Sequence, residues 1–282
     1  MPSCNGHPPN NGLRWIALLL CLLPALARGE TVLSGRAEQG GLLVGQGEPG
    51  LILRLDDRPV PVDETGRFLL GFGRDASAQA RLDILHADGE RESRLLTVAR
   101  RDWTVQRIEG LPRDKAEPDP LAVARIRAES EMLRGLRGRI TLAPLYLSGL
   151  VPPAGGIVSG IFGSQRVYNG NAGAPHSGLD IAAAAGTPVR AAAEGVVVLA
   201  APDLFLTGRT VMIDHGLGLM SSYAHLSAIA VEPGRHVARG EVIGAVGASG
   251  LATGAHLHWG MSWLDVRIDP ETALAVLGLP RR

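Results

Sequence analysis

From Leu150 onward, glycine recurs every few residues, and the runs between glycines are short and rich in β-formers. Gly195-Val-Val-Val-Leu199, Arg209-Thr-Val-Met-Ile213 and Glu241-Val-Ile243 are such runs. Glycine at that spacing interrupts a helix and supplies the positive φ that tight turns require. The stretch therefore reads as a compact antiparallel β-domain with tight turns. Gly234-Arg-His-Val237 and Arg239-Gly-Glu-Val242 are two similar turn-plus-strand units within it. The whole chain has 37 glycines and only 4% aromatic residues, which fits many short strands.

Six of the eight histidines fall in this stretch: His176, His215, His225, His236, His256 and His258. In Gly254-Ala-His256-Leu-His258-Trp-Gly260 two of them stand two apart on a predicted strand. Strand side chains alternate with period two, so both imidazoles project from one face. Paired imidazoles suit metal binding or proton transfer far better than packing. Pro175-His176-Ser-Gly-Leu-Asp180 adds a histidine and an aspartate four apart. Pro175 and Gly178 disfavour a helix there, and in a loop entering a strand both side chains can face one metal. Ser222-Tyr-Ala-His225-Leu226 supplies a fifth polar group.

A catalytic zinc usually takes three protein ligands and keeps one position open. Three ligands from His176, Asp180, His225, His256 and His258 would leave two histidines to handle protons and developing charge. Spacing alone does not say which three bind. Other hydrolytic motifs are missing. Gly247-Ala-Ser249-Gly-Leu251 lacks the second glycine of a nucleophile elbow, and no helix-borne His-Glu-x-x-His is present.

The context His-Ser-Gly-Leu-Asp-Ile at 176–181, Tyr223-Ala-His225-Leu and Thr253-Gly-Ala-His256-Leu-His258 resembles the LytM/lysostaphin-type zinc metallopeptidases, family M23, over about residues 155–270. The resemblance implies His176, Asp180 and His258 as ligands of one Zn2+ per chain, and His225 and His256 as catalytic histidines. It implies an active peptidase, because no member of the pattern is missing. It also implies a peptidoglycan peptide substrate, with a D-alanine–meso-diaminopimelate cross-link fitting better than a glycine bridge. A non-catalytic peptidoglycan-binding activator of a cell-wall amidase is the alternative. Phe162 to Gly170 resembles a loop that shapes one wall of the groove. By strand alternation Tyr223 shares the face of His225 and becomes a candidate to touch substrate, packing being the other reading. His215 reads as a structural hydrogen-bonding residue, and His236 as an exposed one.

The expected fold is mainly β: a C-terminal antiparallel groove domain of LytM type at 150–282, a small N-terminal β-domain at 30–111, and a linker with an amphipathic helix at 112–149. In the N-terminal part, Gly50 to Leu55 reads as a strand, Val60–Val62 with Arg67–Leu70 as a hairpin, and Ala80–Leu85 with Leu95–Val98 as another. His86 stands beside a turn and reads as a solvated or satisfied side chain. Asp119-Pro120 is a helix start, with apolar spacing through Leu136 for about 18 residues. Arg14 followed by an uncharged run ending Ala25-Leu-Ala27 fits a signal peptide at 1–27, an uncleaved anchor being the other reading. Both cysteines, Cys4 and Cys21, lie in that segment. The reading is thus an exported protein of the periplasm or cell envelope, without stable membrane insertion once cleaved. The formal net charge of zero argues against a nucleic-acid partner. The oligomeric state is not legible.

Overall fold

The computed structural model describes residues 1, 3, 30–108, 119–168 and 170–278. The stretch read as a signal peptide, apart from residues 1 and 3, and linker residues 112–118 lie outside them. Among the described residues, no helix is long and apolar enough to cross a membrane.

The protein is mainly β and antiparallel, as its glycine-punctuated strands require. A ten-stranded sheet dominates the C-terminal part. Its order runs His236–Val237, Gly195–Leu204, Gly208–Gly216, Leu219–Ile229, His256–Trp263, Leu179–Ala182 and Ile157–Gly160. Pro188–Arg190, Val242–Val246 and Val266–Ile268 attach beside this path. The strand bearing both histidines is thus central, between the strand of Asp180 and the strand of His225.

Alternation along His256–Trp263 divides the sheet into a core face and a site face. Leu257, Trp259, Met261 and Trp263 are fully buried on the core side. Burying Leu257 or Met261 contributes about 1.5–3 kcal/mol each. His256 and His258 lie on the other face.

The N-terminal part holds two small sheets. One joins Val32–Gly35, Leu42–Gln46 and Arg67–Gly71; the other joins Arg58–Val60, Ile52–Leu55, Gln79–Leu85 and Arg91–Thr97. The expected hairpin around Asp63–Gly66 is reduced to a single bridge, Val62 to Phe68. Arg67–Gly71 pairs along its length with Leu42–Gln46 instead. The Asp63 carboxylate still closes the turn by accepting from the backbone N–H groups of Thr65 and Arg67. Buried residues of this region, including Leu42, Phe68 and Leu70, belong to the same core cluster as Trp259 and Trp263.

The helix Pro120–Arg137 is N-capped by Asp119, whose side chain accepts from Ala122 N at 2.8 Å. A third small sheet holds Gln165–Tyr168 between Asn171–Ala172 and Val105–Ile108. It ties the segment before His176 to the N-terminal part.

Candidate metal centre

His176 sits in the loop entering the Leu179–Ala182 strand. Its backbone is pinned both ways: His176 N donates to Ser164 O, and Gly163 N donates to His176 O. Gly178 lets this loop lie against the central strand, because a Cβ there would meet Trp259 O at 2.4 Å. Strand register then places Asp180 directly opposite His258.

The result is a tight triangle of donor atoms. His176 Nε2 lies 2.9 Å from Asp180 Oδ1, His258 Nδ1 lies 2.8 Å from the same oxygen, and the two nitrogens are 3.0 Å apart. Among the described residues these three form a cluster able to hold a metal ion. His176 Nδ1 donates to Ile161 O at 2.9 Å, which leaves the lone pair of Nε2 aimed at the triangle. A tetrahedral zinc with bonds of about 2.0–2.1 Å separates its ligand atoms by ~3.3 Å, close to the spacing here. Two imidazoles and one carboxylate are an appropriate donor set for such a metal, so the residues fit the ion.

His225 and His256 complete the group. Their rings are 4.7 Å apart, and the His225 ring is 6.1 Å from that of His258. His225 Nδ1 donates to Ser249 O at 2.8 Å, and His256 Nδ1 to Gly254 O at 2.9 Å. Each therefore turns Nε2 inward, and His256 Nε2 comes within 3.8 Å of Asp180 Oδ1. All five sequence-predicted residues converge on one place.

The electrostatics follow from this crowding. Burial alone would raise the Asp180 carboxyl, but the neighbouring imidazoles of His176 and His258 outweigh it and hold the group well below the usual carboxylate range. Burial pushes the His258 imidazole down to about 4, against the pull of Asp180. Burial likewise lowers His225, partly offset by its bond to Ser249 O. Neutral rings beside an ionised carboxylate are the protonation states a metal requires.

Tyr223 does not share the groove. Its side chain is fully buried and its hydroxyl accepts from Ala192 N at 2.8 Å. Strand alternation fails at His225, which has φ 62°. Pairing steps from Val211–Tyr223 to Arg209–Leu226, so the His225 strand carries one extra residue. That bulge turns His225 onto the site face while Tyr223 stays opposite Trp259 on the core face.

Among the described residues, the remaining histidines have structural partners. His86 is buried between Glu48 and Glu92. His236 is exposed and pairs with Glu194. His215 is fully buried, with Nδ1 donating to Glu194 O and Nε2 at 2.7 Å from Ser221 Oγ. Ser221 Oγ lies 2.9 Å from the Tyr223 hydroxyl. A neutral His215 accepts from Ser221 and completes this chain. Ser249 also has a structural place, its hydroxyl donating to Leu226 O and accepting from Arg209 N.

Burial holds the His215 pKa below its ordinary value, against the pull of the Glu194 carbonyl. The unfolded ring takes up a proton below about pH 6.5, and the folded ring resists it. Its contribution to stability is therefore complete above that pH and is lost as pH falls toward the folded pKa. The slope reaches about 1.4 kcal/mol per pH unit. Urea unfolding of chelator-treated protein at pH 7.5 and 5.5 is expected to show the loss, with a shallower dependence in His215→Gln. Equal stability at both pH values would refute the assignment.

One residue of the site has no signal in the sequence spacing. Arg166 donates from Nη2 to Asp180 Oδ2 at 2.7 Å. It lies in the Phe162–Gly170 segment, read from sequence only as a groove wall.

The model of peptidase family M23 matches residues 174–270. The peptidoglycan DD-endopeptidase ShyA of Vibrio cholerae is 45% identical over 101 residues, covering 36% of this chain and 23% of that protein. The DD-carboxypeptidase/endopeptidase Mpg of Neisseria meningitidis is 39% identical over 123 residues, covering 44% of this chain and 26% of that protein. The chain thus matches about a quarter of the length of these curated relatives. A crystal structure from Pseudomonas aeruginosa, described as a peptidase M23, is 32% identical, with a TM-score of 0.67 over 85% of this chain and 96% of that one. With near-complete coverage of that protein, and with the matched residues 174–270 enclosing His176, Asp180, His225, His256 and His258, the chain belongs to peptidase family M23.

Proposed function

We propose that the protein is a zinc-dependent endopeptidase that hydrolyses peptide cross-links of peptidoglycan at the D-alanine–meso-diaminopimelate bond. The observation that carries this reading is the 2.8–3.0 Å triangle of His176, Asp180 and His258 with two further imidazoles beside it. The DD-endopeptidase names of the relatives support the choice of bond.

In this reading His176 Nε2, Asp180 Oδ1 and His258 Nδ1 hold one zinc ion. Bound there, zinc would acidify a water and draw electron density from the scissile carbonyl. The protein's own groups do the rest. His225 is kept neutral by burial, so its Nε2 can accept a proton from the attacking water and return it to the leaving amine. His256 turns its Nε2 toward the same position, where it can accept a hydrogen bond from the attacking water and orient it. The Nδ1 bonds to Ser249 O and Gly254 O hold both rings in the required orientation. A binding-only activator would need none of these groups, and nothing in the site favours it over catalysis.

The same reading assigns residues 1–27 to a cleaved signal peptide and residues 30–111 to an N-terminal β-domain. Residues 112–149 form the linker and helix, and 150–282 the catalytic domain, acting in the periplasm or cell envelope.

Mass spectrometry of muropeptides, after incubating purified peptidoglycan with the protein, tests the activity. Cross-linked dimers are expected to become monomers, and a chelator should stop the conversion. A zinc-loaded protein that leaves the dimers intact would overturn the reading.

A further inference from the structure

We propose that Arg166 is a positioning residue of the metal centre, holding the outer oxygen of Asp180 so that the carboxylate meets the metal through Oδ1 alone. The inference rests on the reading of His176, Asp180 and His258 as the ligands.

The two oxygens of Asp180 have different surroundings. Oδ1 faces His176 Nε2 and His258 Nδ1, at 2.9 and 2.8 Å. Oδ2 points away and accepts from Arg166 Nη2 at 2.7 Å. On the neighbouring strand, Gly160 stands opposite Asp180. A Cβ at Gly160 would meet Asp180 Oδ2 at 2.6 Å, so the missing side chain makes the space that Oδ2 occupies. Oδ2 is thus seated in a cradle, with glycine beneath it and a guanidinium as its partner.

Arg166 is fixed at its own end. Its strand, Gln165–Tyr168, pairs on both sides. The Arg166 carbonyl accepts from Gly173 N at 2.9 Å and from the Gln165 side chain at 3.1 Å. Among the described residues it forms its ion pair with Asp180. A carboxylate with one oxygen held in this way cannot swing to offer both oxygens to a metal. The groups behind metal ligands act by fixing orientation, and losing one typically weakens metal binding ~10–100-fold. A guanidinium suits the task because its planar fork directs its hydrogen bonds, whereas an ammonium is a point charge.

Charge and position make opposite predictions. A cation beside a dication repels it, so if Arg166 mattered only through its charge, Arg166→Gln would bind zinc more tightly. If Arg166 holds Asp180, the same variant binds more weakly. The test is competition for zinc between the metal-free full-length protein and a chromophoric chelator, together with the visible absorption of the cobalt(II)-loaded protein. Arg166→Gln is expected to weaken zinc binding ~10–100-fold. It should also change the cobalt spectrum, as the freed carboxylate alters its coordination. Arg166→Lys should fall between it and the parent.

Unchanged or tighter zinc binding by Arg166→Gln, with the parent's cobalt spectrum, would overturn the proposal. If that variant does not fold, Gly160→Ala carries the test, because its Cβ displaces Oδ2 while leaving Arg166 in place. The same weakening and spectral change are expected, and their absence overturns the proposal. Asp180→Ala separates the two levels. If it binds zinc as tightly as the parent, or if the parent binds none, the metal-site reading itself fails and this inference with it. If Asp180→Ala loses zinc while Arg166→Gln keeps it, only the role of Arg166 fails.

Discussion

Asp180→Ala and His258→Ala are each expected to lose the metal and the peptidase activity together. Both residues contribute to the same triangle, and Asp180 Oδ1 is shared by two of its three contacts. Removing the carboxylate leaves His176 and His258 facing each other across 3.0 Å with no negative charge to attract a cation. Metal-ion catalysis is worth several kcal/mol of barrier, so the loss of turnover should be ~10³-fold or more. Metal content after dialysis and muropeptide turnover are the measurements. Thermal melts of the metal-free forms show that the comparison is between folded proteins. Stoichiometric zinc in dialysed Asp180→Ala would remove Asp180 from the ligand set.

The second large effect separates chemistry from metal binding. Substitution of His225 or His256 should lower activity by ~10²–10⁴-fold, the usual contribution of a positioned acid or base, while zinc content stays at the parent level. At His256 alanine is the natural choice. At His225 the backbone is left-handed, φ 62°, which alanine adopts at a cost of roughly 1–2 kcal/mol. Asparagine tolerates that conformation better, so His225→Asn removes the imidazole with less strain on the bulge. If these variants lose zinc as completely as Asp180→Ala, the division between ligands and catalytic histidines is wrong.

Much of this site is legible before any folding. Period-two alternation puts His256 and His258 on one face, and the structure keeps them there because Leu257 and Trp259 between and beside them are buried on the other. The strand and turn pattern announces a mainly β protein, and the hairpin of Gln79–Leu85 with Arg91–Thr97 forms through its local turn. Features that depend on distant partners were less visible. The Leu42–Gln46 strand pairs with Arg67–Gly71 across an intervening segment, and no local turn signals it. Alternation puts Tyr223 and His225 on one face, and one extra residue in the strand, which no apolar pattern reveals, separates them. Arg166 meets Asp180 although the two are fourteen residues apart on different small elements.

The sequence by itself determined the chemistry available: imidazoles and a carboxylate able to ligate a metal, and glycines that allow close turns. Those are properties of residue types and near neighbours. Only the tertiary structure decided that three donor atoms stand within 2.8–3.0 Å, that a bulge delivers His225 to them, and that Arg166 and Gly160 seat the outer oxygen of Asp180. Such positions are set by backbone hydrogen bonds and packing between segments as far apart as residues 176 and 258. Local spacing carries no information about that distance.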